Sequence, residues 1–459
     1  MNVTATLGSS ALLTALASSA FAIVAAIYGH RIGSARTLIA ARRAIVATAA
    51  LTTLAVLVLA YALLANDFSI AHVASVSSSD MQPWMKWASI YSGQPGSLLY
   101  WTWMLSLFLG AFTITTLRHI PWGAPHAIAT MGVLLLAFLI ALVFFASPFR
   151  INPITPLDGQ GLNPLLVDSG MLIHPPALLA GLVSTAVPFT LGAAALLAGR
   201  LDAAWVRHAR NWALLSFLML SIGNFLGAWW AYTVLGWGGY WGWDPVENSA
   251  ILPLLPMTAF LHALMVQERR SMLKGWNLTL VLSSFALAVF GTFNVRSGLV
   301  ASVHSFAQSE VGPYFLVLLG LVVAASGADQ SRQFRRHGKR VLQGLKGGHV
   351  GFRVAPVNQL DRAETMLFDG VDGLRIKDPG VGGDAEGAVV HVASGTPGNL
   401  RQFGGDQGPC ALAVEFAGGG EGDMIDIHVK AHADGVGGDK DIDLASLIHG
   451  DLGVTGSRA

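Results

Sequence analysis

The stretch Trp229-Trp230-Ala231-Tyr232-Thr233-Val234-Leu235-Gly236-Trp237-Gly238-Gly239-Tyr240-Trp241-Gly242-Trp243-Asp244-Pro245-Val246-Glu247-Asn248 closes one long apolar run and precedes another. Five tryptophans fall within its first fifteen residues. Gly236, Gly238, Gly239 and Gly242 stand between the rings, where they disfavour continuous helix and let the backbone approach a flat partner. Tryptophan offers a broad apolar face with one indole N–H donor and concentrates where membrane meets water. The pattern predicts a bent aromatic loop at the end of a membrane-spanning helix, suited to a large planar ligand with a polar edge. Scattered tryptophans would instead be read as an aromatic belt, but their packing with glycine ahead of Asp-Pro-Val-Glu-Asn favours a site.

Composition sets the setting of that loop. Of 459 residues, 53% are hydrophobic and only 12% charged, and the mean hydropathy is +0.55. These values exclude an ordinary soluble protein and predict an all-α polytopic membrane protein. Runs long enough to cross a bilayer lie near 8–29, 44–66, 97–117, 125–146, 177–199, 211–235, 250–267 and 277–294, with a short ninth near 311–327. Arg31, Arg36, Arg42, Arg43, Arg118, Arg200, Arg207, Arg210, Arg269, Arg270 and Lys274 fall in alternate connections, whereas the others hold only Lys86, Arg150 and Arg296. The basic connections are therefore cytoplasmic, and the N-terminus and the loops 67–96, 147–176, 236–249 and 295–310 lie outside. The first run lacks a basic leader and a clean cleavage site, so it reads as a retained span. A net charge of +1 says nothing about nucleic acid, but no basic patch for it is present, so nucleic acid is not expected as a partner. The single cysteine, Cys410, excludes a disulfide framework or a CxxC pair, so thiol chemistry would use a partner's cysteines.

Loop 147–176 is dense in proline and glycine and ends Met171-Leu172-Ile173-His174-Pro175-Pro176, which predicts a rigid loop that fixes where the His174 imidazole points. Haem is a planar ligand of the kind that the tryptophan loop suits, and its iron takes neutral imidazole. His174 and His304 lie in outer loops on either side of that loop in sequence, and together they are the candidate axial ligands. His262 falls within an apolar span, where an ionisable side chain is costly and reads as functional, with a helix–helix hydrogen bond as the alternative. His30, His72, His119 and His126 read as surface or interfacial.

Residues 67–310, through the Asn152–Pro176 segment, the tryptophan motif, His262 and the Arg296–His304 segment, resemble the CcmF/CcsA family of cytochrome c-type biogenesis proteins, the WWD-motif haem-handling family. The resemblance implies a haem lyase subunit of the bacterial inner membrane. It would hold a b-type haem delivered by a haem chaperone, ligated by His174 and His304 against a platform of Trp237, Gly238, Gly239, Trp241, Gly242, Trp243 and Asp244. Pro245, Glu247, Asn248 and Arg296 would support the site, Arg296 by pairing with a propionate. It further implies a second, permanent haem ligated in the membrane by His262, and partners that include apocytochrome c, its thiol-reducing proteins and other maturation subunits. In the family, haem is joined through thioethers to the cysteines of a CxxCH segment; no catalytic side chain is assigned here, since the nucleophiles belong to the substrate. A close paralogue of the CcsA or nitrite-reductase type, and a non-enzymatic haem transporter, fit the same residues.

The resemblance stops near residue 326, short of the family's later spans. From 328 to 459 the composition changes: no Trp or Tyr occurs, and about half of the 52 glycines lie here. This Gly-rich segment reads as a cytoplasmic tail, soluble or disordered, or as an out-of-frame extension of a shorter gene. Ala411–Phe416 has the alternation of a strand.

Overall fold

The computed structural model describes residues 2–234, 239–297 and 311–324, together with three short strands nearer the C-terminus. Contacts divide the chain into two units, Met1–Asp369 and Gly370–Ala459. The described residues of the first are helical and contain eight helical segments long and apolar enough to cross a membrane, and a shorter apolar helix, Val311–Ala324. The chain is thus a polytopic membrane protein, and the expected spans are present.

Caps, not hydropathy alone, set where these helices begin and end. Helix α1 (Val3–Ile32) starts at Asn2, whose side chain accepts the Ala5 amide, and stops at Gly33, which adopts φ 66°. Ser34 then accepts the Thr37 amide and starts α2 (Ala35–Leu64). The two therefore form a tight antiparallel hairpin, and each exceeds its apolar run by several residues. Two short helices, α3 (Ala71–Val76) and α4 (Pro83–Ala88), precede α5 (Gln94–Thr115). Helix α6 (Ala124–Ile140) runs on into a π turn, Ala141–Phe145.

The next spanning segments are broken. Helix α7 (Gly170–Ser184) is separated from α8 (Ala186–Ala198) at Thr185. Helix α9 (Ala203–Val234) is continuous. Helices α10 (Pro245–Ile251) and α11 (Leu254–Arg270) are divided beside Pro253, which has no N–H to offer the carbonyl four residues back. Helix α12 is Lys274–Ser297, and α13 is Val311–Ala324.

Helix α1 lies along α2 and α6, α2 along α5, and α7 and α11 along α9, while α12 packs on α8, α10 and α11. The α7–α9 crossing is close: a β-carbon on Gly223 would lie 2.5 Å from Leu178 Cα, and one on Gly181 would lie 2.6 Å from the Leu220 nitrogen. Small residues allow such backbone approach in membranes, where dispersion and hydrogen bonding replace the hydrophobic effect as the source of helix association. Buried polar links add to it. Asn277 Nδ2 donates to Gln267 Oε1 at 2.7 Å, and Gln267 Nε2 donates to the Leu201 carbonyl at 3.1 Å, joining α11 and α12 to the start of α9.

In the second unit, strands β1 (Leu412–Phe416), β2 (Ile427–Ala431) and β3 (Asp441–Asp443) form an antiparallel sheet in the order β1-β2-β3. Leu412 pairs with Ala431 and Phe416 with Ile427. The strand expected at 411–416 is thus present.

Candidate functional site

One end of the helical unit gathers the N-terminus and the connections before α5, before α7 and before α10. Asn2 Nδ2 donates to Asp67 Oδ2 at 2.7 Å and to Ser69 Oγ at 2.6 Å. The Ala71 amide donates to the Arg150 carbonyl at 2.8 Å, and the Asn152 amide to the Ser69 carbonyl at 2.7 Å, around an Ile70–Ile151 bridge. Ser79 bonds Asp158 through its amide at 2.9 Å and its hydroxyl at 2.6 Å. These bonds from Ser79 hold the exposed Asp158 carboxyl below its usual range. The connections before α5 and α7 are therefore knitted into one layer, and the ordered loop expected at 147–176 is part of it.

The expected loop 147–176 ends earlier than its prolines suggested. Helix α7 starts at Gly170 and carries Pro175 and Pro176 inside it, so His174 stands on the helix. Proline leaves the carbonyl four residues back without its helical donor. The Tyr91 hydroxyl donates to that carbonyl, Met171 O, at 2.8 Å. Burial pushes the Tyr91 phenol up in pKa, which keeps it a donor.

His174 is half-buried between α7 and α9. Its Nδ1 lies 3.0 Å from the Gly223 carbonyl. A carbonyl only accepts, so Nδ1 carries the proton and Nε2 the lone pair. The ring stacks on Trp230, with centroids 5.8 Å apart and planes inclined by 30°. A β-carbon on Gly227 would lie 2.6 Å from His174 Cε1, so α9 offers this ring its space.

The tryptophan loop is held from its C-terminal side. The Asp244 side chain accepts the Val246 amide at 2.9 Å. Glu247 Oε2 accepts the amides of Gly242 at 3.0 Å and Asp244 at 3.2 Å, completing a capping box with Pro245 at the first turn. Asn248 Nδ2 donates to the Trp243 carbonyl at 3.2 Å. Trp243 has φ 55° and is 77% exposed. Asp244, Glu247 and Asn248 thus shape the loop. The sequence Asp-Pro-Val-Glu carries the capping-box signal that places the helix start at Pro245, ahead of the expected span at 250.

Trp241 and Trp243 are perpendicular, with centroids 6.3 Å apart and planes at 85°. In this arrangement a planar ligand stacks on one ring and meets the other by its edge. Trp241 Nε1 is buried and has no hydrogen-bond partner among the described residues, a donor suited to the polar edge of a ligand. A β-carbon on Gly239 would meet no atom of the described residues within 4 Å, as a loop that admits a flat partner requires. Trp237, Gly238 and His304 lie outside the described residues.

Arg296, expected to support the site by pairing with a propionate, is 2% exposed and donates from Nη1 to the Gln94 carbonyl at 3.2 Å and from Nη2 to Ser97 Oγ at 2.9 Å. It clamps α12 to the first turn of α5. His262, within the spanning segment as expected, is exposed on the surface of α11, with Nδ1 donating to the Thr258 carbonyl at 2.8 Å. Helix α11 buries Met257, Phe260, Leu264 and Gln267, and a residue two positions from Phe260 is rotated about 200° away.

Residues that sequence reasoning passed over are also functional in the architecture. His72, read as interfacial, is only 3% exposed. Its ring lies beneath the first turn of α5, against Gly93 and Gly96. Desolvation lowers its pKa to about 4, the Ser89 and Ile90 carbonyls offsetting this only in part. Asn294 Nδ2 donates to the Pro245 carbonyl at 3.1 Å and to Ser249 Oγ at 2.6 Å, tying α10 to α12.

Comparison with known proteins gives a consistent answer. Residues 91–300 match the model of the family described as cytochrome C assembly protein. The cytochrome c-type biogenesis protein CcmF of Pseudomonas aeruginosa is 44% identical over 270 residues, which cover 58% of this chain and 41% of that protein. CcmF of Escherichia coli is 42% identical over 275 residues, covering 59% and 42%. NrfE of Haemophilus influenzae, also a cytochrome c-type biogenesis protein, is 40% identical over 275 residues, covering 60% and 43%. A solved structure titled cytochrome c heme lyase CcmF superposes with TM-score 0.63 at 31% identity, over 72% of this chain and 52% of that one. The chain spans about half the length of the curated relatives that it matches. Through its helical region, the chain is similar to the cytochrome c assembly protein family, its relatives there being CcmF and NrfE proteins.

Proposed function

We propose that this protein acts in cytochrome c maturation in the bacterial inner membrane, holding haem on the outer side for covalent attachment to apocytochrome c. The observation that carries the reading is His174: its Nδ1–H is committed to the Gly223 carbonyl, so Nε2 presents its lone pair beside Trp230. Metal-binding histidines are oriented in just this way by a bond from the other ring nitrogen. The positive-inside distribution puts this end outside.

In this reading, haem is the substrate, ligated by His174 and His304, and it supplies the vinyl groups to which the two CxxCH thiols add as thioethers. The protein's own contribution is position. Trp241 offers one face and an indole N–H, Trp243 an edge, and the Asp244–Glu247 capping box fixes the backbone that carries both. Arg296 is committed to α5 and supports the frame. His262 faces away from the described bundle, where a haem in the membrane would take its second ligand from a helix packed on that face. The haem chaperone, apocytochrome c and its thiol-reducing proteins are the partners this function requires. Residues 328–459 would be a cytoplasmic tail.

The test is the reduced-minus-oxidised spectrum and pyridine haemochrome of the purified full chain, supplied with its chaperone, for wild type, His174→Ala, His304→Ala and His262→Ala. Loss of haem with His174 or His304 supports the outer site, and loss only with His262 moves haem into the membrane. Haem content unchanged in all three variants would overturn the assignment.

A further inference from the structure

At the other end of α9, roughly 40 Å from the tryptophan loop at 1.5 Å per residue, a cleft of about 330 Å³ opens between the end of α5 and the start of α9. It is lined by Thr115, Thr116, His119, Arg207, His208, Asn211 and Trp212. We propose that this cleft binds a phosphate group carried by an anionic phospholipid headgroup.

Its chemistry is that of an anion site. No carboxylate lines it. Arg118 Nε lies 3.0 Å from His119 Nε2 and donates to it, so that nitrogen accepts and His119 keeps Nδ1–H as a donor. Arg207, His208 and the Asn211 amide bring further donors from successive turns of α9. The Trp212 indole donates to Thr116 Oγ1 at 3.0 Å, joining the two helices at the cleft.

The placement of the cations is the stronger argument. Arg207, His208 and Arg210 all stand in the second turn of α9, close to one another. Arg210 is offset by Glu268 at 3.4 Å. Among the described residues, no carboxylate lies within 4 Å of Arg207 or His208. The positive-inside rule accounts for basic residues in this connection, but not for their convergence with His119 and Asn211 on one cleft. An anion bound there would neutralise them. Thr115 ends one spanning helix, and Arg207 lies just inside the start of another, so the cleft sits at headgroup depth, where basic pockets between helices take anionic lipids.

The experiment is native mass spectrometry of the full chain in mild detergent, with phosphatidylglycerol, phosphatidylcholine or inorganic phosphate added. The expected result is a phosphatidylglycerol adduct that exceeds the phosphatidylcholine adduct. It should fall at least about tenfold in the Arg207→Gln/His208→Gln double variant, the factor that loss of even one charge-assisted hydrogen bond implies, and persist in Arg210→Gln. Displacement of the lipid by millimolar inorganic phosphate would support the phosphate site and assign it to soluble phosphate. Equal adducts in wild type and double variant, or equal loss in Arg210→Gln, overturn the proposal. Should the double variant not survive purification, Asn211→Ala, at an exposed position, carries the same comparison.

Discussion

His174 and Trp230 face each other across the α7–α9 seam, 5.8 Å between ring centroids, in a space that exists because residue 227 has no side chain. Both rings hang on one helix contact, since the carbonyl that fixes the imidazole, Gly223 O, belongs to the turn of α9 that approaches Leu178 most closely.

Gly227→Ala should therefore act on the histidine without touching it. The added methyl forces the ring off Trp230 or breaks the bond to Gly223. Disturbing a ligand's orienting contacts costs ~10–100-fold in metal affinity, so the haem-to-protein ratio should fall toward that of His174→Ala while the helical circular dichroism stays. A variant with full haem content would show that the stacked geometry is not needed.

Loss of the capping box should be local. Asp244→Ala removes the acceptor for the Val246 amide, at about 1 kcal/mol. Hydrogen exchange at residues 246–249 should quicken accordingly while α11 stays protected. Glu247→Gln, which retains an acceptor at the third helical position, should exchange more slowly than Glu247→Ala.

Arg296 should prove structural. Arg296→Ala leaves the Gln94 carbonyl and the Ser97 hydroxyl without this donor in a buried site, at roughly 1–3 kcal/mol for an unsatisfied group. Thermal unfolding in detergent should fall by more than for Arg150→Ala, since the Arg150 side chain is exposed. Equal melting temperatures would remove the clamp from the account.

His72 makes stability depend on pH. Its pKa is lowered from 6.5 to about 4 by burial, so the unfolded chain binds the proton first as pH falls. Stability should be level above about 6.5 and decline between 6.5 and about 4, by up to roughly 3 kcal/mol, then level again once both states are protonated. His72→Gln should flatten that stretch of the curve, as read from denaturant midpoints at each pH.

What the sequence determined by itself is whatever depends on neighbours along the chain. Apolar run length determined the spanning helices, glycine and tryptophan determined the loop at 239–243, and Asp244-Pro245-Val246-Glu247 carried its own helix start. The short strand at Leu412–Phe416 was legible by alternation. Tertiary structure decided what depends on which face a residue shows to other helices. The same hydropathy is compatible with a buried or an exposed His262, and only the packing of Phe260 and Leu264 inward turns it out. Arg296 looked like any basic residue beside a loop until α5 enclosed it, and His72 until the α5 turn covered it. The perpendicular set of Trp241 and Trp243, and the carbonyl that selects the His174 tautomer, arise from backbone positions brought together by helix crossing, which periodicity does not encode.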